Sequence, residues 1–280
     1  MGETIKGNEK LKFSVIMSIY KNDNPEYLRI ALNSIINQTL VPDEIVLIAD
    51  GPVPESLHSV VDDAKAEFPN LNPYYQDENA GLGAALCIAV DKAKYDYLAR
   101  MDSDDISLPD RFEKQMRCFY EDESISVVGG MITEFVGEPA NIVNQRVLPL
   151  DDVDIKRFMS SRCGVNHVTV IFKKEDLLRA GNYRSDYRQE DYYLWARMMK
   201  TGCKFRNISD VVVNVRSGAN QFARRGGWTY FKDHMAIFRL MYNWHLITYP
   251  QLMKNYCLRF AQVAFPTSLR TWVYQNMLRK

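Results

Sequence analysis

Residues 101–115 read MDSDDISLPDRFEKQ and crowd Asp102, Asp104 and Asp105 into four positions directly after an apolar run. Like charges at that spacing repel, and they persist where water, hydrogen bonds or a cation offset them. Carboxylates in a DxD pattern suit a hard divalent cation, Mg²⁺ or Mn²⁺, which also binds phosphate oxygens. The plainest alternative is a helix start, with Asp105 or Ser107 as the cap, Pro109 early in the helix and the acids at its positive end. A calcium loop opening at Asp102 fails. Ser107 stands where that loop needs glycine, Ile106 offers no side-chain oxygen, and a strand precedes it instead of a helix. A phosphatase-like aspartate nucleophile after a strand is a weaker alternative, because no distal lysine and acids announce themselves.

The elements that must position these acids alternate. Phe13–Tyr20 (FSVIMSIY) and Glu44–Ala49 (EIVLIA) are short apolar runs that read as buried strands, with Asn72–Gln76 and Tyr95–Met101 as two more. Helical patterns separate them: one opening at Pro25, then Pro54–Phe68 and Gly81–Ala93. Buried strands alternating with helices predict an α/β fold, a mostly parallel sheet covered on both faces. Ligands of such sheets bind beyond the carboxyl ends of the strands. Tyr20, Asp50 and Asp102–Asp105 follow strand ends, so they are expected on one rim. The second half is less regular. Ser126–Gly130 and Met131–Val136 are β-like, Asn141–Val147 pairs back on them, and Val165–Phe172 is a further strand. Gln189–Lys200 is a helix, and Lys204–Asn207 with Asp210–Val215 forms a hairpin. Beyond Trp228 the pattern is helical, broken by Pro250 and Pro266.

Six ordered segments, FSVIMSIY, EIVLIADG, NAGLGAAL, ARMDSDDISLPDRF, HVTVIFKKEDLLRAGNY and QEDYYLWARMM, together resemble the inverting nucleotide-sugar glycosyltransferases of family 2, which have the GT-A fold. The likeness spans roughly residues 13–215 and is nearest to bacterial transferases that build O-antigen, capsule or exopolysaccharide repeat units. It implies a hexose transferred from a UDP-sugar to a sugar acceptor, with Mn²⁺ or Mg²⁺ as cofactor. By that resemblance Tyr20 and Asp50 contact the nucleoside, and Asn79 and Gly81 belong to the donor-side loop. Asp102 and Ser103 lie at the donor, Asp104 is the principal metal ligand with Asp102 beside it, and Arg100 touches diphosphate. Two positions depart from the family pattern: Ala49 replaces the first acid of its DDG, and Lys21 the Asn of its YN.

The resemblance also makes Asp191, of the pair Glu190-Asp191, the catalytic base, and places His167 near the acceptor. Periodicity adds separate support. Asp191, Leu194, Trp195 and Met198 fall at i, i+3, i+4 and i+7, so the acid begins an apolar stripe, where desolvation strengthens a base. Arg216, Arg224 and Arg225 match the family's mobile loop after the last core strand.

The chain of 280 residues allows one large domain or one domain with an appendage. The expected division is a catalytic domain over 1–220, its nucleotide-sugar half about 13–120 and its acceptor half about 121–220, and a helical region over 221–280. Net charge is zero overall, yet residues 221–280 hold nine basic residues and one acid, a charge of +8, leaving −8 on residues 1–220. Aromatics interleave with that charge from Trp228 to Trp244 and again at Trp272 and Tyr274. Such a tail suits an anionic membrane surface, or a lipid-diphosphate-linked saccharide as acceptor. A nucleic-acid partner is not expected, because it leaves the strand-end rim unexplained. A helical subdomain packed on the core, with a solvated basic face, is the plain alternative. Five scattered cysteines without CxxC argue against disulfides or zinc. With no signal-peptide core and no long apolar run, a cytoplasmic address, peripheral on the inner face of the membrane, is the expectation.

Overall fold

EIVLIA is buried at every position, which requires cover on both faces of its sheet. The computed structural model describes residues 10–187, 189–217 and 228–264 and supplies that cover. Strands β1 (Phe13–Ile19), β2 (Glu44–Ala49), β3 (Leu71–Tyr75) and β4 (Tyr97–Met101) run parallel, in the order β3-β2-β1-β4. Helices α1 (Pro25–Ile36), α2 (Glu55–Glu67) and α3 (Leu82–Lys92) connect them. Pro73 sits in β3, at the end of the sheet, where a strand can spare an N–H.

The two-residue alternation of each strand sorts the core. Val15, Met17, Ile45 and Leu47 face a cluster with Leu28 of α1, Leu57 of α2 and Phe112 of α4 (Arg111–Glu121). Ile16, Val46 and Ile48 face the other side, with Leu86 of α3, Ile155 of α5 (Asp152–Met159), Leu177 of α6 (Lys174–Arg179) and Leu194 of α7 (Glu190–Lys200). Burying each such side chain contributes roughly 1.5–3 kcal/mol.

The sheet continues β4-β8-β6-β9-β5 through β5 (Ile106–Ser107), β6 (Val127–Phe135), β8 (Ile171–Lys173) and β9 (Phe205–Arg216), and β7 (Ile142–Arg146) pairs with β6. Helices α8 (Trp228–Asn243) and α9 (Tyr249–Ala264) follow. Met235, Ile237, Phe238 and Met241 of α8 pack with Tyr192, Tyr193 and Ala196, so the helical pair rests on α7. Among the described residues no helix is long and apolar enough to cross a membrane.

Four local expectations are corrected. Val165–Phe172 is not one strand: residues His167–Thr169 form a 3₁₀ turn, and only Ile171–Lys173 is extended. The Thr169 hydroxyl and N–H both donate to the Asn166 carbonyl, at 2.8 and 2.9 Å, and so hold the turn. The hairpin at 204–215 is instead the single strand β9, running parallel to β6 with a register shift opposite Gly129 and Met131. A tight hairpin turn needs positive φ, and neither Ile208 nor Ser209 has it. The helix after the acidic cluster starts at Arg111, with neither Asp105 nor Ser107 as cap. Ile106 and Ser107 form β5 against β9 instead, and Gln38 of α1 donates to the Leu108 carbonyl at 2.7 Å. Pro250 does not break the C-terminal helix but stands in the first turn of α9, where its missing N–H costs nothing. The break precedes it, at His245 with φ 59°. Pro266, Trp272 and Tyr274 lie outside the described residues.

Candidate active site

Three neighbouring parallel strands end on one rim. Ile19 pairs with Ala49 and Met17 with Met101, which brings Tyr20, Asp50 and the Asp102–Asp105 turn to the same edge. Asp50 is almost fully buried, and its two carboxylate oxygens accept the N–H groups of Ala80 and Gly81, at 2.8 and 2.9 Å. The Asn79 amide donates to the Asp50 carbonyl at 2.9 Å. Asp50 therefore holds the donor-side loop against the end of β2. Gly51 makes the approach possible: φ is +85°, and a Cβ there would meet the Asn79 nitrogen at 2.8 Å. Gly81, with φ +90°, opens α3.

At the end of β4, Arg100 forms a bidentate ion pair with Asp102. Arg100 is buried, and Arg111 donates to its carbonyl oxygen at 2.7 Å, so the strand end is fixed from behind. Ser103 donates to Asp23 at 2.8 Å, and Asp23 also accepts the Tyr20 N–H at 3.2 Å, tying the DxD turn to the end of β1. Asp105 is buried and accepts the Arg216 N–H at 2.8 Å. Its carboxyl is pushed well above the usual range, first by burial and then by Asp102 and Asp104. Asp104 faces solvent and has no ion-pair partner among the described residues. Desolvation in the turn, then the charges of Asp102 and Asp23, raise it to about 6.

This arrangement fits a divalent cation shared with a phosphate ligand. Asp104 presents an accessible carboxylate, in a field made negative by its neighbours, without a basic group to compete for it. No cluster of three or more metal-binding side chains occurs among the described residues. A protein cage is therefore not the mode; one or two carboxylates completed by substrate oxygens is the pattern of Mg²⁺-type sites. Asp102 is the weaker partner, since Arg100 occupies both its oxygens.

The start of α7 faces the same centre. Glu190 is raised to about 7, by burial first and then by Asp191; Arg100 and Asp102 also act on it, which places it on the flank of the DxD turn. Asp191 looks the other way: Oδ1 accepts the Tyr192 N–H at 2.7 Å, and Oδ2 lies 3.8 Å from the Cys163 thiol. The expected desolvation of a first-turn acid thus falls on Glu190. His167 Nε2 lies 2.8 Å from the Tyr183 hydroxyl, and burial together with Arg100 keeps the imidazole neutral. Trp195 is fully buried with its ring edge toward His167, so it supports the acceptor side from behind.

Arg216 ends β9 with its guanidinium 3.7 Å from the centre of the Tyr27 ring and its Nε donating to the Asp104 carbonyl at 3.2 Å. Arg224 and Arg225 lie outside the described residues. Sequence reasoning missed Asp23, Tyr183, Arg111 and Cys163. Asp23 stands three residues past Tyr20 and was legible as a strand-end acid; Arg111 and Cys163 carry no local signal.

Comparison with known proteins gives a consistent picture. The family profile described as Glycosyl transferase family 2 matches residues 14–178. The chain is 38% identical over 231 residues to the amylovoran biosynthesis glycosyltransferase AmsE of Erwinia amylovora, covering 81% of this chain and 85% of that protein. It is 33% identical over 269 residues to a UDP-Gal:alpha-D-GlcNAc-diphosphoundecaprenol beta-1,3-galactosyltransferase of Escherichia coli, covering 96% and 97%. Among solved structures, S. aureus TarS 1-349 in complex with UDP-GlcNAc superposes with a TM-score of 0.65 at 18% identity, over 96% of this chain and 76% of that one. GalNAc-T7 with UDP, GalNAc and Mn²⁺ gives 0.65 at 16% identity, and this chain spans 55% of its length.

Proposed function

The chain belongs to glycosyltransferase family 2 and has the GT-A fold, and on that premise we propose that it is an inverting, metal-dependent hexosyltransferase using a UDP-sugar. The observation that carries this reading is the convergence of the DxD turn and the first turn of α7 around Arg100. Tyr20, Asp50, Asn79 and Gly81 form the nucleoside side of the site, and Asp104, assisted by Asp102, holds Mn²⁺ or Mg²⁺. When bound, the cation neutralises charge on the departing diphosphate. Asp191 accepts the proton of an acceptor hydroxyl as that oxygen bonds to the anomeric carbon. The bond from that carbon to the diphosphate oxygen breaks on the opposite face, and UDP leaves with the electron pair. In-line displacement inverts the anomeric centre. His167, neutral and fixed by Tyr183, lines the acceptor side with Glu190.

The acceptor is a saccharide on a polyprenyl diphosphate, in bacterial surface-polysaccharide synthesis. The support is the E. coli relative, whose name specifies such an acceptor and which matches along nearly its whole length. Residues 1–220 form the catalytic unit, and 221–280 a basic helical region that rests on anionic lipid at the cytoplasmic face. Exposed Lys232, Arg239 and Lys254, and exposed Trp228 and Phe260, suit such a surface.

A panel of UDP-sugars offered with a synthetic sugar-diphosphate-lipid tests the proposal. Transfer from at least one donor is expected, abolished by a chelator and restored by Mn²⁺ or Mg²⁺. Phosphate release without transfer would favour a phosphohydrolase, and UDP binding without turnover a non-catalytic binding module.

A further inference from the structure

Asp191 has a second neighbourhood, away from the DxD turn. Its Oδ2 lies against Cys163, in the segment 160–163 that follows α5. Three arginines from distant parts of the chain meet that segment. Arg146, the last residue of β7, donates to the Cys163 carbonyl at 3.0 Å. Arg162 lies within it, its guanidinium 4.3 Å from the centre of the Phe158 ring. Arg259 of α9 donates to the Ser161 carbonyl at 3.1 Å, and Asn255, one helical turn earlier, donates to the Ser160 carbonyl at 2.8 Å. All three arginines are half-buried, and Arg146 has no ion pair with a carboxylate among the described residues. Guanidinium groups gathered on one short segment repel one another, and an anion offsets that repulsion.

Resting on the reading that the acceptor is a sugar carried by a lipid diphosphate, we propose that Arg146, Arg162 and Arg259 form the subsite for the acceptor's diphosphate. The geometry separates two anions. Glu190 turns toward Arg100 and the DxD turn, where the donor's diphosphate belongs. Asp191, the next residue, turns toward Cys163 and the arginines. An acceptor whose first sugar is joined directly to diphosphate has its reacting hydroxyl and its phosphates on opposite sides of one pyranose ring. With the hydroxyl at Asp191, the phosphates fall beside the segment 160–163. The contribution of α9 gives the C-terminal helices a role in acceptor recognition distinct from lipid contact.

The test uses the full chain in neutral detergent with its donor and cation, and three acceptors with the same sugar and alkyl chain. One carries a diphosphate, one a monophosphate, and one is a neutral glycoside. Arg146→Gln and Arg259→Gln each keep an N–H for the backbone carbonyl and lose the charge. The ratio of kcat/KM for the diphosphate acceptor to that for the neutral one is expected to fall about tenfold or more in each variant, the scale of a lost charge-assisted hydrogen bond. UDP affinity by calorimetry is expected to stay at the wild-type value, which excludes misfolding. A wild type that demands the diphosphate, with variants that keep the same ratio, would overturn the subsite alone. A ratio that changes only when anionic vesicles are added would assign the arginines to lipid headgroups and overturn it too. Equal use of charged and neutral acceptors by the wild type, or transfer to none, would overturn the acceptor reading together with the subsite.

Discussion

At the residue scale, adjacent acids with different surroundings are a means of dividing labour. Asp191 keeps one oxygen on the Tyr192 N–H and offers the other toward Cys163, whereas Glu190 is crowded by Asp191 and by Asp102 across the site. The two are separable by experiment. Asp191→Asn keeps shape and loses the proton acceptor, so turnover is expected to fall by roughly 10²–10⁴-fold while UDP binding is retained; near-normal turnover would move the base to Glu190. For Glu190 the signature is in stability. Its folded pKa of about 7 lies above the ordinary 4.5, so between those values the folded state binds more protons than the unfolded chain. Stability therefore falls as pH rises through that window, by about 1–2 kcal/mol once solvent screening is allowed for. In donor-free protein, urea unfolding at pH 5 and pH 8 should show that loss in the wild type and a smaller one in Glu190→Gln. Equal pH dependence in both would place the titration elsewhere.

At the element scale, the site depends on how chain ends are tied down. Gly51→Ala adds a Cβ at positive φ, against the backbone of Asn79. A cost of roughly 1–3 kcal/mol is expected, together with weaker UDP binding, because the Asp50 corner and the donor loop shift together. Unchanged UDP affinity would separate that loop from the donor. The parallel half of the sheet was legible because its strands are continuous apolar runs with helices between them. FSVIMSIY and EIVLIA ended within a residue of their predicted limits. The acceptor half was less legible because its backbone is set by distant side chains. Asn207, whose amide bonds the Pro149 and Gly164 carbonyls, anchors β9 from within; nothing local in KFRNISD separates a bulged strand from a hairpin. The DxD turn looked like a capped helix start because its acids are common there; Asp105 is spent instead on the end of β9.

At the scale of the whole molecule, the +8 carried by residues 221–280 has more than one use. Arg259 is drawn inward to the acceptor segment, while Lys232, Arg239 and Lys254 remain exposed. Removing α9 would take Asn255 and Arg259 away from Ser160 and Ser161, so truncation confounds membrane contact with acceptor geometry. Reversing the three exposed charges to Glu is the cleaner variant. Its sedimentation with anionic vesicles should fall well below that of wild type at low salt and converge on it as salt rises, each lost cation near lipid being worth about 1 kcal/mol. Equal sedimentation would leave the outer face merely solvated. The central claim, direct displacement on one rim with Asp191 as base, is tested most directly by the anomeric configuration of the product. With an α-linked UDP-hexose as donor, proton NMR of the purified product should show a β-glycosidic bond; an α-linked product would contradict the account.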